Sequence, residues 1–97
     1  MRLFRWNPEK NDALKAERGV SFEGITVAVE SGGLLDILDH PNKARYSNQR
    51  VLVVTFDNYA YLVPLVEEED HYFLKTIIPS RKATREYLKQ GDPNVKS

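Results

Sequence analysis

Four cations recur close to the C-terminal end of the chain: Arg81, Lys82, Arg85 and Lys89. On a helix advancing about 100° per residue they fall within an arc of roughly 100°, while Ala83, Thr84, Tyr87 and Leu88 lie on the other side. One face can then pack on a sheet while the other offers positive charge to phosphates. Cations normally help the last turn of a helix, so Arg81 and Lys82 sit at the end that already exposes positive amides. Amides and cations together at a helix start suit an anion. An ordinary solvated helix face would carry the same residue types, so charge alone decides nothing. The chain balances 14 basic against 14 acidic residues, so any cationic surface must be local.

A second group lies in Asn42–Arg50, which holds Lys43, Arg45 and Arg50, an aromatic at Tyr46 and no acid. Arginine forks bind phosphate bidentately, and tyrosine can stack on a base. The plain alternative is a polar loop. Arg50 shares a strand face with Leu52, Val54 and Phe56, so its charge must leave the core at a sheet rim. Lys10 precedes Ala13 and Leu14 by three and four residues, which places it at the border of an apolar helix face. A lysine there can also just cover the edge of the core with its stem. His40, between Asp39 and Pro41, is a candidate proton carrier because free imidazole titrates near pH 6.5. His71, after four acids, reads as a surface residue. No Gly-rich phosphate loop, Ser/His/Asp set or paired-carboxylate motif can be picked out.

These side chains need elements to hold them. Arg2 to Trp6 suits a short strand. Asn7-Pro8-Glu9 is a helix start, with Asn as N-cap and Pro at the first helical position. Gly19 supplies the left-handed residue that ends this helix after Arg18. Ser21 caps a second helix at once, with Val20 and Ile25 spaced as a hydrophobic staple, and Gly32-Gly33 stops it. Leu34–Leu38 is a short apolar run. Arg50–Phe56 is β-branched or aromatic on both faces, as a central strand requires. Asp57-Asn58 tolerates the positive φ of a tight hairpin. Tyr59–Val66 returns, with Pro64 pointing to an edge position or a bulge. His71–Ile78 and the C-terminal helix follow. The expected order is β-α-α-β-β-β-β-α, an α+β domain with its helices on one face of an antiparallel sheet.

Length confines residues 1–97 to one domain with one modest core. Residues 91–97 read as a flexible tail. No apolar run approaches the ~20 residues of a membrane span, and the start lacks a long secretory segment. The absence of cysteine excludes disulfides and thiolate chemistry. Two histidines make a His-rich metal site a poor fit. A cytoplasmic protein working without metal or other cofactor is the expectation.

Three segments carry a family likeness: Phe4–Asn11, Arg18–Glu23 and Ile78–Thr84. Together they resemble the BrnT family of type II toxin–antitoxin toxins, in the same order and over nearly the whole chain. The resemblance implies a RelE-like fold and a ribonuclease that arrests translation. It also implies an antitoxin partner, usually a small ribbon-helix-helix DNA-binding protein, through which the complex represses its own operon. Lys10 and Arg81 match the family's lysine and arginine positions, and Arg50 fits an arginine at the start of a central strand. Two positions depart: Arg18 stands where the family usually has histidine, and Asn7 where it has aspartate. The implied chemistry is attack of the RNA 2′-hydroxyl on the adjacent phosphorus. Arg81 and Arg50 would stabilise the extra charge and Lys10 would assist. Arg45, Tyr46, Lys82 and Arg85 would bind the flanking RNA. This scheme requires Lys10, Arg50 and Arg81 to converge on one hollow. The alternative is a catalytically weak module that binds its antitoxin and acts as co-repressor.

Overall fold

A computed structural model describes residues 3–88. Lys89, expected on the cationic face, and the expected tail 91–97 lie outside the described residues. In chain order the elements are β1 (Leu3–Trp6), α1 (Pro8–Arg18), α2 (Phe22–Ala28), a π-helical turn (Val29–Gly33) and β2 (Leu34–Asp39). They continue with β3 (Gln49–Phe56), β4 (Tyr59–Glu67), β5 (His71–Leu74), β6 (Ile78–Pro79) and α3 (Arg81–Ala83), which runs into a π-helical turn at Thr84–Leu88. The class is α+β.

Local chemistry sets the helix ends where the sequence places them. Asn7 Oδ1 accepts from the Glu9 and Lys10 amides at 2.8 and 3.1 Å. Gly19 adopts φ 68° and donates its N–H to the Lys15 carbonyl. Ser21 Oγ accepts from Gly24 N. Val20 and Ile25 are both buried, as a staple requires. Gly33 has a different reason to be glycine. A Cβ there would stand 2.7 Å from the Ala28 carbonyl oxygen and 2.9 Å from that of Thr55.

The strands form one open sheet in the order β1-β5-β4-β3-β2, with β6 also pairing β4. Asp57 and Asn58 turn the β3–β4 hairpin with φ 55° and 63°. Two expectations need correction here. The sheet is not wholly antiparallel, because β1 pairs β5 in parallel. The single strand expected over His71–Ile78 is two pieces, separated at Lys75–Ile77. Pro64 accounts for the break: its carbonyl accepts from Lys75 N, so its missing N–H falls on the same side of β4. The strand beside it cannot pair without interruption. Pro64 therefore sits in an interior strand, against the gap between β5 and β6, rather than on an edge.

The helices do not share one face, which corrects a third expectation. Leu14, Phe22, Ile25 and Val29 from the α1–α2 segment pack on Leu52, Val54, Val63 and Leu65. Ala83, Tyr87 and Leu88 pack instead on Val53, Ala60 and Leu62, which alternate with those residues and point the other way. Because β3 is apolar on both faces, each face needs cover, and α3 with its π turn supplies the second layer.

Candidate functional site

Two of the three segments with the family likeness, Phe4–Asn11 and Arg18–Glu23, meet in space. Trp6 from β1 stacks on Phe22 of α2, with ring centroids 5.6 Å apart. Asn11, 3% exposed, joins the same two segments by hydrogen bonds. Its Oδ1 accepts from Phe22 N at 2.8 Å, and its Nδ2 donates to Glu23 Oε1 at 2.7 Å. That donation is the main reason the Glu23 carboxyl sits below its usual range, with the backbone and Lys15 (3.8 Å away) adding to it. Arg18 Nη1 donates to the carbonyl of Ile77, which ties the α1–α2 turn to the stretch leading into Arg81. Sequence reasoning passed over Asn11 as part of a motif. Its signal was position: an amide on the same helix stripe as Leu14 must find partners once buried.

The candidate catalytic residues are not brought together. Arg50 lies on the face covered by α1 and α2, opposite Leu65 in the β3–β4 register. Arg81 follows β6, whose register partners are Tyr61 and Leu62, and Ser80 N donates to the Ala60 carbonyl. Five strand positions, about 17 Å at ~3.4 Å each, separate Leu65 from Ala60. The sheet itself also stands between the two, because α3 packs on the opposite face. Lys10 is exposed in the first turn of α1 and lines neither the pocket beside Arg50 nor the one beside Lys82. One hollow holding all three is therefore excluded. The reason is the two-faced sheet, whose alternation sends Arg50 one way while α3 crosses the other.

Arg50 has partners of its own. Its Nε is out of solvent contact and 3.3 Å from Glu67 Oε1, close enough for an ion pair but off hydrogen-bond geometry. Its Nη1 lies 3.9 Å from Asp39 Oδ1, and Asp39 also pairs with Lys43 at 3.2 Å. Arg50 lines a pocket of about 150 Å³ together with Ile37, Leu52 and Leu65. Two carboxylates in attendance make Arg50 a poor phosphate ligand.

The loop candidates are also partly engaged. Tyr46 packs against His40 with centroids 4.4 Å apart, and the Arg45 guanidinium lies 5.5 Å from the Tyr46 ring centre. His40 Nδ1 accepts from Asn42 N, which uses that nitrogen to hold the turn. A base stacking on Tyr46 must use the ring surface His40 leaves. On the C-terminal element, Lys82 lies 4.0 Å from Glu86. Arg81 and Arg85 are exposed and have no ion pair with a described residue. They remain the pair best placed to meet an anion.

Opposite β2, the Tyr87 hydroxyl donates to Asp36 Oδ2 at 2.7 Å, while Asp36 Oδ1 accepts from Ile37 N. The bond to Asp36 holds the Tyr87 phenol above its ordinary range, with desolvation and the nearby acids in support. Among the described residues no cluster of His, Asp and Glu could hold a metal ion. No helix among them is long and apolar enough to cross a membrane. No protein-family model, curated protein or solved structure matches this chain.

Proposed function

We propose that this chain is the toxin member of a BrnT-like type II toxin–antitoxin pair, acting in the cytoplasm on RNA without a metal. One observation supports the reading most. Two of the segments that carry the likeness, Phe4–Asn11 and Arg18–Glu23, are knitted together by Trp6–Phe22, Asn11–Phe22 and Asn11–Glu23, and Arg18 bonds to Ile77, the residue just before the third. Residues scattered in sequence thus serve one structural unit. The chemistry is narrower than three converging cations. Arg81, with Arg85 beside it on the helix, stabilises charge on the phosphate as the 2′-hydroxyl attacks. Lys82 contributes less because Glu86 shares its charge. Arg50 stands outside the reaction.

The partner on this reading is a small DNA-binding antitoxin of ribbon-helix-helix type, and operator DNA is reached only through it. Expression of the chain alone arrests growth, and purified protein cuts RNA in the presence of EDTA. Arg81→Ala abolishes both effects while Arg50→Gln leaves both. Cleavage that stops with chelator, or that survives Arg81→Ala, contradicts the proposal.

The dispersal of Lys10, Arg50 and Arg81 favours a second reading, in which the same fold binds its antitoxin and co-represses without cutting RNA. Harmless expression of the wild-type chain would decide for it.

A further inference from the structure

The free edge of β2 has the composition of a strand that lacks a neighbour. β2 ends the sheet order, and among the described residues only β3 pairs with it. Edge strands usually carry charge or proline to discourage pairing, and Asp36 and Asp39 act so in β2 against any strand that brings no cation. Here Ile37 is 48% exposed on one face and Leu38 39% exposed on the other. Each borders a pocket. Ile37 lines the Arg50 pocket, and Leu38 lines a second one of about 200 Å³ under Lys82 and Tyr87. Hollows beside the same edge on both faces of a sheet are where an added strand would place its alternating side chains.

We propose that β2 accepts an extended segment of a partner protein as an additional strand. The centre of that strand reads cation–apolar–apolar–cation. The pattern follows from Asp36-Ile37-Leu38-Asp39, which reads acid–apolar–apolar–acid along the edge. Residues opposite one another in a ladder share a face. The two apolar residues therefore lie beside Ile37 and Leu38, at the mouths of the two pockets. One cation faces Asp36, whose present partners, the Tyr87 hydroxyl and the Ile37 amide, are neutral donors. The other faces Asp39, which it shares with Lys43 and Arg50. Because the pattern is the same in both directions, it suits parallel or antiparallel addition.

A second copy of this chain is the wrong occupant. Leu34–Asp39 contains no cation, so self-pairing in any register sets these aspartates against apolar residues or against each other. The Asp36 carboxylate now covers the Ile37 amide, which closes the edge in the absence of a partner. A cation on the incoming strand draws that carboxylate aside and uncovers the amide for the ladder. The surface stands on its own geometry and needs no nuclease activity. Where the toxin reading holds, the strand belongs to the antitoxin.

The test uses the full chain labelled with ¹⁵N and titrated with a synthetic eight-residue peptide centred on lysine–valine–leucine–lysine. A control peptide replaces both lysines by glutamate. The lysine peptide shifts the amide resonances of β2 and of the residues lining the two pockets, and the glutamate peptide binds at least tenfold more weakly. Asp36→Lys cuts that preference to near parity, since the new ammonium opposes one peptide lysine while Asp39 still favours the other, and Ile37→Lys, a change at an exposed site, abolishes binding with the circular-dichroism spectrum unchanged. Equal binding of both peptides, binding of neither, or shifts away from β2 would overturn the proposal. Concentration-dependent shifts of β2 without peptide would overturn it in favour of self-pairing. None of these outcomes alters whether expression arrests growth, so failure here is separable from failure of the toxin reading.

Discussion

Asn11→Ala is expected to be strongly destabilising, and its cost can be worked from two hydrogen bonds. The Phe22 amide is buried and donates to Asn11 Oδ1. Leaving a buried donor unsatisfied costs about 1–3 kcal/mol. The part-buried bond from Asn11 Nδ2 to Glu23 is lost as well, at roughly 1 kcal/mol net. Together they give about 2–4 kcal/mol, a large part of the ~5–15 kcal/mol that holds a small domain folded. At ~4–8 °C per kcal/mol for a domain of this size, Tm falls by about 10–30 °C. Urea unfolding followed by circular dichroism measures the first figure and a thermal scan the second. Asn11→Asp sharpens the reasoning, because it keeps an acceptor for Phe22 N but sets a second carboxylate against Glu23. Its destabilisation should ease as the pH falls and one carboxyl protonates. A loss below ~0.5 kcal/mol for Asn11→Ala would refute the assignment of Asn11 as the junction between β1–α1 and α2.

Further outcomes follow from other sites. Gly33→Ala forces a methyl against two carbonyl oxygens and should cost about 1–3 kcal/mol in denaturant unfolding. Gly19→Ala meets no neighbour, but φ of 68° is unfavourable for any residue with a Cβ, so about 1 kcal/mol is expected. Glu23 has a folded pKa below its unfolded one. Its contribution is therefore present above the ordinary carboxylate range and lost as pH falls through the folded value. Glu23→Gln should flatten that part of the stability–pH curve. Tyr87 is displaced upward, so its contribution is present below the ordinary phenol range and lost as pH rises through the folded value. Tyr87→Phe should remove that alkaline slope, measured as urea midpoint against pH.

Much of the local structure was legible in the residues. Asn7-Pro8, Gly19 and Ser21 mark helix ends because capping is decided within a few residues of chain, and Asp57-Asn58 mark the hairpin for the same reason. Ala83, Thr84, Tyr87 and Leu88 were rightly placed on the packed side of the last helix. What could not be read is whatever depends on distant partners. The parallel pairing of β1 with β5 has no signature in either strand alone. The second layer had a trace in Val51 and Val53, which make β3 apolar on both faces. The dispersed cations are the consequence: Lys10, Arg50 and Arg81 were grouped by their match to the family's positions, and only the sheet's two sides could separate them. Arg18 drew notice as a departure from the family, whereas its bond to Ile77 gives it a bridging part.

The pairing of Leu3–Trp6 with His71–Leu74 bears on how the molecule comes to be made. Strand β1 is late to find its place, since its neighbour is synthesised nearly seventy residues after it. Until then Phe4 has neither its strand neighbour nor its ring partner Tyr72, and the nascent chain carries an aromatic side chain in search of contact. Contacts of such long span slow folding and prolong the interval in which wrong associations form. Production of this protein should accordingly suffer from any truncation before Leu74, and gain from slower, cooler synthesis.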